Sequence, residues 1–230
     1  MLGNKYFGIV LTVLAFEIGK WINAKTKNPL VNPLLVAILL IIGFLKVTNI
    51  PYETYKMGGD FITFFIGPAT VAMVLDLYNN IDLLKSNLLP VFVGIILGSI
   101  FSLVFTVIIT KFIGIDRELI VSLLPQSVTT AIAISLSEEY AGLVALTAIV
   151  VVIRGITGAV IAEPTMKIFK VSDPVAQGVS IGTSSHAVGT SEARKLGKAQ
   201  GGFSGLSVAV AGIVTAVMMP FAMILVNSFV

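Results

Sequence analysis

The sequence lacks cysteine, contains a single histidine, His186, and has charged side chains at only 12% of its 230 positions. Without cysteine, disulfides, thiolate chemistry and cysteine metal sites are excluded. One histidine also excludes a multi-histidine metal site. Soluble domains carry roughly 25% charged residues, so a soluble fold of this composition would expose large apolar patches and aggregate. The shortage of charge therefore argues against a soluble protein.

Apolar residues make up 56% of the chain, and its mean hydropathy is +1.00. The net charge of +3 comes from scattered basic residues in loops, where they set membrane orientation rather than bind nucleic acid. No arrangement of side chains points to catalysis, so we expect neither an enzyme nor a cofactor or metal. The first apolar run keeps Glu17 and Lys20 and lacks a cleavage site, which indicates a membrane helix rather than a signal peptide.

Apolar segments recur along the whole chain, and a membrane-spanning helix needs about 20 such residues. The eight candidate segments are Tyr6–Trp21, Pro33–Val47, Phe61–Tyr78, Leu88–Phe112, Leu119–Ser137, Gly142–Ala162, Pro174–Ala193 and Phe203–Phe229. We predict an all-α, polytopic transmembrane helical bundle. It forms a single integral membrane domain over residues 1–230, with N-terminal helices in 1–58 and a core of broken helices in 59–230.

Three of the segments are interrupted by proline, glycine and hydroxyl residues, at Pro68, Pro125 and Gly182. Proline inside a helix removes a hydrogen bond, and freed backbone groups must be buried in protein or line a wet cavity. The three breaks are 57 residues apart, which favours an internal repeat of the kind many transporters have. The Lys and Arg distribution modestly favours six full spans with two re-entrant elements, and eight spans is the alternative.

The third break holds the most informative segment of the chain. A Gly/Ser/Thr turn that opens a helix presents backbone N–H groups and a positive dipole end to an anion. His186 adds a group that changes protonation near neutral pH, so we assign it proton coupling. Close helix packing through small residues is the alternative explanation. The candidate binding residues here are Thr183, Ser184, Ser185, His186, Gly189 and Thr190.

Two further regions offer groups for a polar ligand. The second break contributes Pro125, Gln126, Ser127, Thr129 and Thr130, and the first contributes Thr70. These hydroxyls would otherwise simply bond to their own helix backbone. Arg154 lies deep in an apolar segment, where arginine is expensive and normally faces a partner or a water-filled cavity. Snorkelling to the interface is the alternative, but the reach is long.

The order and spacing of three motifs resemble those of the LrgB/CidB family. The motifs are Gly67-Pro68-Ala69-Thr70-Val71-Ala72, Leu124-Pro125-Gln126-Ser127-Val128-Thr129-Thr130 and Ser185-His186-Ala187-Val188-Gly189-Thr190, followed by the small-residue run Gly201–Leu206. Two positions depart from the family pattern, because Gln126 stands where a lysine is expected and Ala131 where a proline is expected. The loss of that lysine removes a positive charge near the predicted site.

The resemblance implies a multi-pass protein of the bacterial inner membrane that transports small monocarboxylates. Plastid relatives exchange glycolate and glycerate, and bacterial members have been linked to pyruvate-type acids, so the implied substrates are 2-oxo or 2-hydroxy acids. The alternative is a holin-like or antiholin-like regulator of murein hydrolase activity and autolysis. The expected partners are a small organic anion, the lipid bilayer and a small LrgA- or CidA-like membrane protein, and a homodimer is left open.

Overall fold

The structure, a computed structural model, describes residues 5–26, 31–65, 68 and 78–228. Within these ranges the chain forms ten α-helices and no β-strand, which confirms the all-α prediction. The helices are α1 (Lys5–Thr26), α2 (Pro33–Thr48), α3 (Tyr52–Phe64), α4 (Ile81–Ser86), α5 (Leu88–Ile113), α6 (Arg117–Leu123), α7 (Thr130–Glu139), α8 (Val144–Ile168), α9 (Pro174–Leu196) and α10 (Lys198–Asn227).

Four of the described helices, α1, α5, α8 and α10, are long and apolar enough to cross a membrane. Helix α2 is apolar but shorter. Their outward faces carry large exposed hydrophobic side chains, such as Leu97, Phe112 and Ile213. A soluble protein would not expose so much apolar surface, so these faces contact lipid. This observation supports the predicted transmembrane bundle.

The chain divides into two compact units, Met1–Ala72 and Met73–Val230. In the first, α1 packs on α2 and α3 around a small core of Ala15, Ala37 and Ile41. Helix α2 begins where the Asn32 side chain accepts a hydrogen bond from the Leu34 backbone N–H, and Pro33 occupies its first turn. The division into N-terminal helices and a broken-helix core at residue 58, and the 57-residue repeat, stay predictions.

The second unit is built on α5, α9 and α10. The second half of α9 runs antiparallel to the start of α10 around Gly197. The first half of α9 runs parallel to α10, because Gly178 faces Gln200 and Gly182 faces Ser204, and these small residues let the two backbones approach closely. Helix α5 runs in the same direction as α10. Near their N-termini Val91 and Ile95 pack with Phe203, and near their C-termini further buried side chains surround Met219.

Two predicted segments are broken, as the proline and glycine pattern indicated. The segment Leu119–Ser137 splits into α6 and α7 across an irregular stretch from Leu124 to Thr129. The segment Pro174–Ala193 consists of two helical halves of α9 that meet at His186, where the backbone is non-helical. The two halves fold against each other, since Ile181 of the first packs with Ala193 of the second. The third break therefore lies four residues beyond Gly182. Most of Phe61–Tyr78, with Thr70, lies outside the described residues, and α3 begins at Tyr52, ahead of that segment.

Candidate functional site

The backbone of α9 breaks at His186, where φ is 42° and ψ is −143°. A positive φ at a residue with a side chain is strained, by of order 1–3 kcal/mol, and such strain persists only where the surroundings enforce it. The His186 side chain is almost fully buried, and its Nε2 atom lies 2.9 Å from the backbone carbonyl oxygen of Val151 on α8. Because a carbonyl only accepts, the imidazole donates this hydrogen bond, which holds the break against α8.

Two glycines on α8 make room for the break. A Cβ atom added to Gly155 would overlap the imidazole of His186, and one added to Gly158 would overlap the side chain of Ser185. Both glycines therefore serve close approach of two helices rather than a turn. Because these two positions are glycine, α8 and the break in α9 pack with their backbones almost in contact.

Arg154 lies near the middle of α8 and contacts the same break. Its Nε donates a 3.0 Å hydrogen bond to the carbonyl oxygen of Ser184, at the end of the first half of α9. No carboxylate in the described ranges lies within ion-pair distance of its guanidinium. A half-buried cation thus faces the break with a backbone carbonyl as its protein partner.

A cavity of about 650 Å³ opens beside Arg154, between α5, α8 and α9. Thr183 and Ser184 form part of the wall contributed by α9, and α5 contributes Ser102 and Thr106 with the rings of two phenylalanines. A second cavity of about 430 Å³ lies between α8 and α9 and also reaches Arg154 and Ser184. The guanidinium therefore borders open space on two sides.

The second break reaches the larger cavity through one hydrogen bond. The Gln126 side-chain amide Nε2 donates to Thr106 Oγ1 over 2.9 Å, and Thr106 lines the cavity. Pro125 and Ser127 are buried beside it, whereas Thr129 and Thr130 begin α7. The amide of Gln126 thus joins the irregular stretch to the cavity wall.

The predicted site residues on α9 fall on two sides. Thr183 and Ser184 line the large cavity. Ser185 and His186 pack instead on α8. Thr190 Oγ1 donates to the His186 carbonyl oxygen and shares a hydrogen bond with the Ser204 hydroxyl of α10.

Gly189 lies in the second half of α9 and packs on Ser185 and Ile181 of the first half. The structure therefore brings Arg154, Thr183 and Ser184 together, with Gln126 one hydrogen bond away. It places Gly189 and Thr190 in helix packing. Whether any of the predicted residues binds a ligand stays a prediction.

The sequence reasoning missed the wall contributed by α5. Ser102 and Thr106 interrupt a long apolar run at a spacing of four residues, which places both hydroxyls on one helix face. A stripe of hydroxyls on an otherwise apolar helix was the available signal. Because α5 contains no break, the pattern of interruptions does not point to it.

Comparison with known proteins identifies relatives along almost the whole chain. The family model described as "LrgB-like family" matches residues 12–225. The chain is 38% identical over 219 residues to a protein of Bacillus mycoides named "Antiholin-like protein LrgB", with 95% of each chain covered. Proteins of the same name from Bacillus cereus and Bacillus anthracis are 37% identical over the same share. No solved structure matches this chain.

Proposed function

This chain belongs to the LrgB-like family of multi-pass bacterial membrane proteins, and we propose that it carries small organic anions across the bilayer through the cavity beside Arg154. The proposed substrates are monocarboxylates of the pyruvate, lactate, glycolate and glycerate type. His186, at the break in α9, is the proposed proton-coupling group. The substrate would bind at a single site. The broken elements would then rock against the long helices and expose that site to each side of the membrane in turn.

The observation that carries this proposal is the environment of Arg154. A guanidinium within a membrane helix is costly unless an anion or water surrounds it. One of its N–H groups is engaged by the Ser184 carbonyl oxygen, and no carboxylate lies within ion-pair distance in the described part of the chain. A guanidinium binds a carboxylate through two parallel hydrogen bonds. An anionic ligand in the 650 Å³ cavity would supply the missing counter-charge.

The position of the break supports a carrier rather than a simple packing role. Transporters commonly bind substrates where helices are discontinuous near the bilayer midplane. Here the strained backbone at His186 lies two residues after Ser184, whose carbonyl oxygen Arg154 contacts. The second break adds the Gln126 amide through Thr106. Two interruptions of regular helix therefore lie close to the proposed anion site.

A second candidate function is antiholin-like regulation of murein hydrolase activity and autolysis. The observation that favours it is the name "Antiholin-like protein LrgB" carried by relatives 37–38% identical over 95% of the chain. A homodimer or a small LrgA- or CidA-like membrane partner would be needed if regulation depends on assembly. The two functions are compatible, because transport of a metabolite would link metabolism to autolysis.

Uptake into proteoliposomes tests the first function. Purified protein in vesicles should take up labelled pyruvate, lactate or glycolate saturably, faster than protein-free vesicles do. If none of the three acids is taken up saturably, the transport proposal is wrong. Release of a large trapped dye from the same vesicles would instead indicate a pore.

The second function is tested in cells that lack the gene by comparing autolysis rates after complementation. We expect the unaltered chain to restore the normal rate. If Arg154→Gln restores it equally well while uptake is lost, regulation is independent of transport. If it does not restore the rate, transport and regulation share the same site.

A further inference from the structure

We propose that Ser102 of α5 contacts the transported anion and discriminates between acids with and without a second oxygen-bearing group. This inference rests on the proposed transport function and deepens it, since it assigns a binding residue that lies outside both breaks. It starts from an unusual hydrogen-bond pattern on α5. The hydroxyl of Ser102 is buried and makes no hydrogen bond in the described part of the chain.

Helix α5 carries four buried hydroxyl residues, and the other three follow one rule. Ser99, Thr106 and Thr110 each donate to the carbonyl oxygen four residues earlier, at 2.7–2.8 Å. This back-bonding is the ordinary way for a hydroxyl to be satisfied inside an apolar helix. Ser102 has the same option, through the carbonyl oxygen of Gly98, and does not use it. Its hydroxyl is therefore available to another group.

Ser102 is 9% exposed and lines the large cavity that also borders Arg154. A buried hydroxyl without a partner is unfavourable because it has lost its hydrogen bonds to water. The hydroxyl oxygen itself is buried, so rotation of the serine side chain toward the cavity would let a ligand oxygen restore one of those bonds. Thr106, one helical turn along α5, is already engaged by Gln126 and by the Ser102 carbonyl oxygen, so it offers the ligand less.

Two of the polar groups that line the cavity, Arg154 and Ser102, differ in chemistry. The other polar residues of the lining are Asn87, Thr106, Asp173, Ser180, Thr183 and Ser184. Arg154 is cationic and recognises a carboxylate, whereas Ser102 is neutral and both donates and accepts. Between them the wall is largely apolar, with Phe101 and Phe105 of α5 lining it. A ligand that places a carboxylate at Arg154 and a hydroxyl or carbonyl oxygen at Ser102 satisfies both groups. An acid that has the carboxylate alone leaves the serine unpartnered.

The test uses matched pairs of acids as competitors for uptake of the labelled acid that the vesicles accumulate. Glycolate is compared with acetate, and lactate with propionate, because each pair differs by one hydroxyl group. The unaltered chain should prefer the hydroxy acid of each pair. Ser102→Ala should reduce that preference roughly three- to tenfold, the value of one hydrogen bond, mainly by weakening the hydroxy acid.

Two control substitutions separate ligand contact from packing. Ser99→Ala removes a buried hydroxyl of the same helix that is bonded to its own backbone. Thr215→Val removes a second buried, unpartnered hydroxyl found among the described residues, on α10, with little change of shape. Both should leave the preference unchanged. Ser102→Thr keeps a hydroxyl and should hold the preference close to that of the unaltered chain.

The outcomes distinguish this inference from the proposed function. If the unaltered chain accumulates none of the acids, the transport proposal fails, and this inference fails with it. If uptake persists and Ser102→Ala keeps the full preference, the assignment of Ser102 alone is wrong. Thermal unfolding in detergent guards against a folding defect, since the alanine removes no internal hydrogen bond and should leave the melting temperature unchanged. If Ser102→Ala does not fold, Ser102→Thr provides the test instead. Loss of the preference for hydroxy acids in that variant would overturn the proposal.

Discussion

The imidazole Nε2 of His186 lies 2.9 Å from the backbone carbonyl oxygen of Val151, and this hydrogen bond fastens the break in α9 to the middle of α8. Since helical carbonyls normally accept from their own helix, Val151 accepts a second bond from outside it. Three residues along α8, Arg154 donates to the Ser184 carbonyl oxygen in the opposite direction. The two helices are thus linked reciprocally, each supplying one donor side chain and one backbone acceptor.

Replacement of His186 separates the effect of its side chain from that of its backbone. At φ 42° an alanine is strained, whereas a glycine is tolerated. We therefore expect His186→Gly to be more stable than His186→Ala by roughly 1 kcal/mol, although both lose the bond to Val151. Thermal unfolding in detergent measures the difference. A lower melting temperature for the glycine variant would contradict the strain at this position.

The same residue provides the test of proton coupling. If His186 carries the coupled proton, His186→Ala should flatten the dependence of uptake on external pH, and His186→Gln should do the same while keeping a donor for Val151. An unchanged pH profile in both variants would remove the proton role. The uptake of the unaltered chain across the same pH range is the reference.

Insertion of a methyl group at Gly158 should separate α8 from the break. A Cβ atom there would overlap the Ser185 side chain, which is itself fully buried. Overpacking of this kind costs about 1–3 kcal/mol, so Gly158→Ala should lower the melting temperature and reduce uptake together. Gly43 on α2 is the matched control, since a Cβ atom there meets nothing within 4 Å. A fall in stability for Gly43→Ala as large as that for Gly158→Ala would show that the effect is not local.

Much of this arrangement follows from residue patterns, because apolar length and interruptions obey simple rules. Hydrophobicity predicted α5, α8 and α10, and Pro125 predicted the split between α6 and α7. The glycine and hydroxyl residues predicted a broken α9, but not where the break falls. Small residues permit close packing all along α9, so the break at His186 is set by contacts with α8 that are distant in sequence.

A second feature beyond the reach of sequence is the hydroxyl network that joins α6, α7 and α8. Thr147 Oγ1 lies 2.7 Å from the Ser137 hydroxyl and donates to the Ser122 carbonyl oxygen, while the Ser122 hydroxyl accepts from the Leu143 backbone N–H. Each of these residues reads as an ordinary helix hydroxyl with a local partner. That these hydroxyl residues bond to one another is evident only once the three helices are packed together.

Arg154 should be required for uptake because of its charge and its planar geometry. Arg154→Gln removes the cation from the cavity wall and should abolish most saturable uptake. Arg154→Lys keeps the charge but loses the paired geometry for a carboxylate, so we expect an intermediate KM. Uptake kinetics in vesicles measure both.

The control for charge is Lys167→Gln near the end of α8, where the exposed lysine pairs with Glu163. Removal of that cation should change uptake little. If Arg154→Gln transports normally, or if Lys167→Gln is equally damaging, the guanidinium is not the anion-binding group.

A substitution at Gln126 should raise the affinity for the transported anion rather than lower it. The Gln126 amide lies 2.9 Å from the Thr106 hydroxyl on the cavity wall, and this residue occupies the position where the family pattern led us to expect a lysine. Gln126→Lys should place a second positive charge beside the cavity. Because opposite charges attract more strongly away from bulk water, the KM for a monocarboxylate should fall several-fold, and added salt should change it little.

The control, Gln126→Met, removes the hydrogen bond to Thr106 without adding charge. It should leave the KM unchanged or raise it slightly. A gain in affinity from methionine as large as that from lysine would mean that the bond to Thr106, rather than the missing charge, limits binding. An unchanged KM in Gln126→Lys, with normal folding, would mean that the second break lies outside the electrostatic reach of the bound anion.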